Sequence, residues 1–543
     1  MPSFPRRRET KFDAVNPLTK GAVNSKEIPA CAGMTTETKT TKTMKKILKI
    51  AILAVITAPL FAQTTDLRYC HQYALAFTMP SLHGNARFVG MGGAFGALGG
   101  NLSALTVNPA SIGIYRRSDF SFTSTLGISS TEARQIDNAT SDWQFDDRMN
   151  FNVMNFGMVN AFDISRSDSP NEWKMLQFGF GVNRKADFWN RSTFTGFVDD
   201  WTFLDQVTLG ANNRGTPAGT IEGVARRAGV IFWDADLQEY ANDLWWPENG
   251  VWQHHGLTQF QTTETRGGIN EWFMTFGGNF GDMLYLGSTV GMPTINFRQT
   301  RDLREVDDAG AHGNYFSSWH LRESLQINGT GVNLKLGAIL RPAEFMRIGL
   351  AFHTPTRFSL RENLTLEVSG TGEEIRPGHH RERLDQFEYS LRTPMRLIGS
   401  LGFVIGRYAM IGIEYEHINF GNMRFTGGDP RFNSENNNFI RDNNAVGGVF
   451  RVGGEFRLDP VSIRVGYNYT LSPFEDRSTA FQNFSGHTFS AGLGFVLGST
   501  TIDLAYVNNL RSFDMQPYTG VQLPFNNYNV SAQQFKVTFG WRF

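Results

Sequence analysis

The last nine residues read FKVTFGWRF. Phe535, Val537, Phe539, Trp541 and Phe543 fall on one side of an extended chain, and Lys536, Thr538, Gly540 and Arg542 on the other. Side chains alternate across a strand with a period of two, so this stretch is a strand with one apolar and one polar face. VFRVGGEFRL repeats the pattern, with Phe450, Val452, Phe456 and Leu458 opposite Arg451, Glu455 and Arg457. Similar runs are joined by short turn signals at Gly281-Asp282, Arg341–Glu344, Gly406-Arg407, Asp459-Pro460 and Gly498-Ser499. The runs predict about 14 strands, an even number, as in single-chain bacterial barrels. The first is expected near Ser118–Ile128, with long ones near Ser317–Leu340 and Phe345–Val368. Long connections are expected at Lys185–Asn270, Arg298–Phe316, Ser369–Asp385, Gly421–Asn444, Ser472–Ser485 and Arg511–Ser531.

Short turns at one rim and long loops at the other describe a transmembrane antiparallel β-barrel, an all-β fold. The mean hydropathy of −0.29 argues against a helical membrane protein and allows a barrel, whose strands are only half apolar. Lys+Arg 51 against Asp+Glu 51 gives no electrostatic case for nucleic acid. The terminal strand Phe535, Val537, Phe539, Trp541 and Phe543 looks like the signal read by the barrel-assembly machinery.

MKKILKIAILAVITAPLFAQ starts at Met44 with Lys45 and Lys46, continues through Ile50–Ile56 and closes on Pro59-Leu60-Phe61-Ala62. That is a secretory signal, expected to span 44–62 and to be cleaved after Ala62. Residues 1–43 include PSFPRRRE and IPACAGMT, which resemble a translated bacterial intergenic repeat. They are expected to be a spurious extension, with Met44 the true start. Cys70 is then the one cysteine of the functional chain, so no intrachain disulfide is expected.

GMGGAFGALGG, Gly90–Gly100, precedes the first strand. A dinucleotide fingerprint would need glycine where Phe95 stands, and a P-loop would need a lysine. A flexible linker would not carry Phe88, Met91, Phe95 and Leu98. A barrel of this size has a lumen too wide for its own side chains to fill. Residues 63–117 are therefore expected inside it as a hatch, with 118–543 forming the barrel. Gly90, Gly92, Gly93, Gly96 and Gly99 would allow its sharp turns and close wall contacts.

GNARFVGMGGAFGALGGNLSALTVNPASIGIY, INEWFMTFGGNFGDMLYLGSTVGMPTINF and GVNLKLGAILRPAEFMRIGLAFHTPT resemble the FadL/TodX family of outer-membrane transporters, in its Bacteroidetes-type branch. Asn108-Pro109-Ala110 is the most specific mark, and Asn101 and Ser111 depart from the pattern. The resemblance implies a 14-stranded barrel with a hatch, passive uptake of long-chain fatty acids or aromatic hydrocarbons, and sideways exit beside an inward-bent strand. Partners would be the apolar ligand, outer-membrane lipid and the assembly machinery, with no nucleic acid, no cofactor and a monomeric state. Arg87, Phe88, Met91, Phe95 and Leu98 are candidates to line the ligand path, or else simply anchor the plug.

FWDADLQEYANDLWW places Trp233, Leu237, Tyr240, Leu244 and Trp245 near helical spacing. An amphipathic helix is expected there, as an outer capture groove or a cover on the barrel mouth. His254-His255 and His379-His380 lack a zinc spacing, and Asp307-Asp308 and Asn436–Asn438 read as solvated loops. No G-x-S-x-G or H-E-x-x-H occurs. The rivals to transport are a secretion or docking component and, more remotely, an outer-membrane esterase.

Overall fold

The computed structural model describes residues 70–135, 142–166, 172–199, 202–248, 251–254, 256–308, 310, 316–372, 378–384, 386–475, 481–482, 484–515 and 526–543. The expected extension, the signal segment and His255 lie outside the described residues. Fourteen strands form one closed antiparallel barrel. They are β1 (Asp119–Gln135), β2 (Gln144–Asp163), β3 (Trp173–Asp187 and Asn190–Val198), β4 (Leu257–Phe280), β5 (Leu284–Val306), β6 (Ser318–Ala343) and β7 (Met346–His353 and Arg357–Thr371). The others are β8 (Gly378–Arg383, Phe387–Arg392 and Arg396–Ile405), β9 (Ala409–Asn419 and Arg424–Thr426), β10 (Val446–Leu458), β11 (Val461–Thr470), β12 (Gly486–Leu497), β13 (Thr500–Met515) and β14 (Asn526–Arg542). Closure is made by β1 against β14, in register from Asp119↔Arg542 to Gln135↔Asn526.

The barrel is inside-out relative to a soluble core. On β14, Phe535, Phe539 and Trp541 are exposed, while Lys536 and Thr538 are buried in the lumen. On β6, Val332, Leu334, Leu336 and Leu340 point outward and Asn333 and Lys335 inward. Above this apolar band the outward face turns polar, through Thr330, Asn328, Ser324 and Arg322. The short turns Gly281–Met283, Gly406–Tyr408, Asp459-Pro460 and Gly498-Ser499 share one rim with the start of β1 and the end of β14.

The opposite rim carries helices Phe203–Arg214, Ile221–Ala228 and Pro430–Asn443. These fold back over the mouth. Phe203, Leu204, Val224 and Phe432 join Phe297, Trp319, Leu321 and Leu366 of the wall, and Tyr73 and Phe77 of helix Cys70–Thr78, in one apolar core.

Several expectations need correction. The connection expected at Lys185–Asn270 is shorter, because β3 and β4 stay paired from Asn190↔Thr265 to Val198↔Leu257, above the apolar band. The strand expected at Phe345–Val368 is broken at Thr354-Pro355-Thr356, where proline removes a ladder donor. The helix expected around Trp233 is a hairpin, Phe232–Asp234 with Glu239–Ala241. The Asp234 carboxylate accepts from the backbone N–H groups of Asp236 (2.8 Å) and Leu237 (3.0 Å), and Gln238 has φ 57°, so a turn wins over the helical spacing. Conversely, Asn436–Asn438 lie in helix Pro430–Asn443, which Asp429 caps and Pro430 starts.

An Arg at Leu336, inside the apolar band, should cost about 2–4 kcal/mol of folding stability in a bilayer. The same change at Ser324, above the band, should cost far less. Urea unfolding of the barrel in lipid vesicles measures both.

Candidate functional site

The segment before β1 is seated against the inner wall. Helix Ala86–Gly90 is capped by Asn85, and the 3-10 turn Pro109–Ile114 by Asn108, whose Oδ1 accepts from the Ala110 N–H at 3.0 Å. The Asn108 Nδ2 donates to the Gly96 carbonyl at 2.7 Å and to the wall carbonyl of Ala338 at 3.3 Å. Asn108, Pro109 and Ala110 thus fix the hatch to itself and to β6. The Asn101 side chain bonds Asn85 at 2.9 Å, within the hatch.

Backbone meets backbone where hatch and wall touch. A Cβ on wall residue Gly453 would sit 2.0 Å from the Met91 carbonyl oxygen, and one on Gly466 would sit 2.1 Å from the Gly92 nitrogen. Gly92 itself has φ 62°, open to glycine without strain. The Gly96 N–H donates to Glu414 Oε2 at 2.9 Å. Phe88, Met91, Phe95 and Leu98 are all buried and pack together with Val89, Ala505 and Val507. Of these four, Phe88 also lines a cavity.

Arg87 points at the wall. Its guanidinium pairs with Glu455 at 2.9 Å and stacks over the Phe95 ring at 5.5 Å. Burial pulls the guanidinium pKa down, and the adjacent Glu455 more than reverses this, holding Arg87 above its ordinary value. Glu455 also accepts from Arg457 (2.6 Å) and Arg464 (2.7 Å), and Arg464 pairs with Asp503 at 2.6 Å. Nearby, Arg451 bridges Glu414 (2.7 Å) and Glu416, and Arg396 joins Glu416 (2.9 Å) to the Thr78 carbonyl (2.7 Å).

Two cavities lie beyond the hatch. One of about 470 Å³ is lined by Tyr73, Met79, Phe188, Phe297, Val507 and Tyr528, with Arg148, Asn150 and Arg511 at its polar side. The other, about 110 Å³, is polar, bordered by Lys185, Glu271, Lys335, His353, Arg396 and Glu416. Met79–His83 lines both and so partitions them. Burial, with Lys536 and Arg184 nearby, holds the His83 imidazole well below its usual pKa, hence neutral at pH 7.

The larger cavity abuts a break in the wall. The β2–β3 ladder runs from Asp163↔Met175 to Asn155↔Asn183 and stops there. Beyond it β2 stays paired with β1, and β3 with β4. β3 has bent inward behind β2: Asn190 Oδ1 accepts from Ser129 (2.9 Å) and Thr131 (2.8 Å) of β1, and Phe188 packs on Phe297 at 5.2 Å. Side chains cross the gap instead of backbone, with Asn150 and Asn152 donating to Asp187 at 2.9 and 3.2 Å. Asn150, Asp187 and Asn190 all border the cavity.

Trp233 and Leu237 of the hairpin Phe232–Asp234 with Glu239–Ala241 are exposed, as is Trp245, which starts a second hairpin, Trp245–Glu248 with Val251–His254, whereas Leu244 is fully buried. The sequence reading missed Phe188, Phe297 and Tyr528, because Phe188 and Tyr528 lay in presumed loops and Phe297 looked like an ordinary strand position.

The described residues form a 14-stranded barrel with the segment before β1 seated inside it, and the barrel fold has a counterpart among solved structures. A FadL homologue from Pseudomonas aeruginosa aligns with a TM-score of 0.51 and 13% identity, over 86% of this chain and 99% of that one. The P. putida toluene transporter TodX aligns at TM-score 0.49 and 12% identity, over 85% and 99%. The Ralstonia pickettii toluene transporter TbuX gives 0.46 and 14%, over 85% and 99%. No family model matches the chain, and no curated protein matches its sequence. The chain has the FadL-type barrel fold.

Replacing Glu455 with Ala leaves Arg87 and Arg464 buried without their shared carboxylate. We expect a loss of about 3–5 kcal/mol in urea unfolding. Gly453→Val should instead expel the hatch, read as new protease cleavage before β1 in a barrel whose heat-modifiable gel migration is unchanged.

Proposed function

We propose that this protein is an outer-membrane channel for passive uptake of hydrophobic small molecules, and not an enzyme. The observation that carries this reading is the 470 Å³ apolar chamber ending at the β2–β3 break. An apolar solute gains nothing from a water-filled pore and is repelled by the sugar-rich outer leaflet. A largely apolar pocket beside a break in the wall would let it pass from chamber to bilayer with little exposure to water. The solved FadL homologue shares the barrel fold, which is consistent with this reading. Long-chain fatty acids and monoaromatic hydrocarbons both suit the chamber, where Arg511 on the polar side offers a carboxylate a partner while Arg148 pairs with Glu264 at 2.8 Å.

In this reading residues 63–117 are the hatch and Gly90, Gly92, Gly93, Gly96 and Gly99 its turns and contacts. The exposed Trp233, Leu237 and Trp245 form an outer capture surface. That same patch is what favours the second reading, a docking component.

Filling the chamber with Ser129→Trp or Ala532→Trp should lower uptake of a labelled fatty acid or aromatic at least tenfold, in cells lacking their own transporter. Heat-modifiable migration should show the barrel intact. Unchanged uptake would remove the transport reading, and the docking reading would take its place.

A further inference from the structure

The wall has a second discontinuity, far from the β2–β3 break. The β5–β6 ladder skips from Gly291↔Asn333 to Thr294↔Thr330, beside Pro293. The β6–β7 ladder skips from Lys335↔His353 to Val332↔Arg357, at Pro355. The β7–β8 ladder skips from His353↔Arg396 to Arg357↔Arg392, at Pro394. On the outer surface this line of breaks leaves a notch of about 510 Å³, lined by Val290, Val332, Leu334, Pro355, Arg357 and Arg392.

The notch straddles the upper edge of the apolar band, with Leu334 and Leu336 below and Ser359 and Ser390 above. Its upper rim is cationic. Arg357 and Arg392 are direct cross-strand partners, both exposed. Among the described residues neither guanidinium has a carboxylate partner. The nearby Glu388 is taken by Arg361, at 2.9 Å. Two like charges directly opposite each other on a sheet repel. A shared anion turns that repulsion into attraction, and guanidinium groups hold phosphate oxygens in pairs.

We propose that the notch binds one phosphorylated, multiply acylated glycolipid of the outer leaflet, of the lipid A type. The phosphate would lie on Arg357 and Arg392, and an acyl chain would run down the face of Pro355, Val332 and Leu334. The height of the notch selects a lipid over a soluble anion, since its apolar floor faces hydrocarbon. Its position toward the long-loop rim selects the outer leaflet. The inference rests on the outer-membrane location proposed above, and not on the cargo.

The test uses the full mature chain in detergent and counts retained lipid by native mass spectrometry. The probes are lipid A, dephosphorylated lipid A and phosphatidylethanolamine. We expect one lipid A per chain, and at least tenfold weaker retention of the other two. Arg357→Gln/Arg392→Gln should lose lipid A at least tenfold. Leu334→Trp, which fills the notch without touching the charges, should lower retention as well. Arg361→Gln should retain it fully, and heat-modifiable migration should confirm that each variant is assembled. Equal retention of all three lipids, or unchanged binding by the double variant, would overturn the proposal. Displacement of lipid A by millimolar inorganic phosphate would reduce the site to a simple anion site and overturn it too. Loss of uptake in the chamber variants with lipid A retention intact would separate this site from the transport path.

Discussion

A backbone in hydrocarbon must satisfy its own N–H and C=O groups, because there is no water to do so. The pairing of β1 with β14 along Asp119–Gln135 meets that demand by abolishing the sheet's edges. Much else follows from closure. Side chains must divide between lipid and lumen, so Phe539 faces out and Thr538 in. Fourteen strands enclose more space than their own side chains fill. Filler then enters from both ends: the hatch from the short-turn rim, the loop helices from the other. The chamber is the space these two fillers leave between them.

Where the ladder fails, side chains replace it. At the β7–β8 break the Thr356 N–H donates to Thr393 Oγ1 at 2.9 Å, and Thr393 N–H returns to the Thr356 carbonyl at 2.9 Å. At the β6–β7 break Leu334 and Thr354 exchange similar bonds, 3.0 and 2.9 Å. The β2–β3 break is bridged by carboxamide and carboxylate groups, with no ladder bond left. The first kind of break keeps a pair of exchanged bonds across it, and its residues line the outer notch on one side and the polar cavity on the other. The second leaves β2 and β3 joined by side chains, Asn150 and Asn152 on Asp187 and Arg191 on Asp146 at 3.2 Å, and it is the one that borders the chamber.

The barrel was legible because its signal is local. Alternation in FKVTFGWRF and VFRVGGEFRL, together with turns such as Asp459-Pro460, reads off the strand and its faces. The sequence erred where a local rule had a local competitor, as at Asp234, whose side chain captures two backbone donors and turns the chain. It was silent where the cause is distant. Nothing near Gly453 or Gly466 announces that hatch backbone will rest on them. Nothing near Arg87 tells that Glu455, in β10, will pair with it; the sequence left Arg87 as either a ligand-path residue or a plug anchor, and this ion pair is an anchoring contact. Chamber residues such as Phe188 and Tyr528 come together only through the bend of β3 and barrel closure.

The clamps also decide which part of the plug can yield. Between Ala86 and Tyr115 the hatch is held by Thr538, Glu455, Ser490, Glu414, Arg347, His353 and Gln177, drawn from strands all round the barrel. Removing that base would strand several buried charges at once, which costs far more than the burial of one small apolar ligand returns. Among the described residues Pro80–His83 shows no hydrogen bond to the wall: it borders the two cavities, Leu82 packs on the hatch cluster, and polar anchors flank it at the Thr78 carbonyl and the Asn85 N–H. A route through this barrel therefore passes beside the hatch base. Under the proposed transport role, a ligand in the chamber has the Pro80–His83 partition on one side and the side-chain-stitched β2–β3 break on the other.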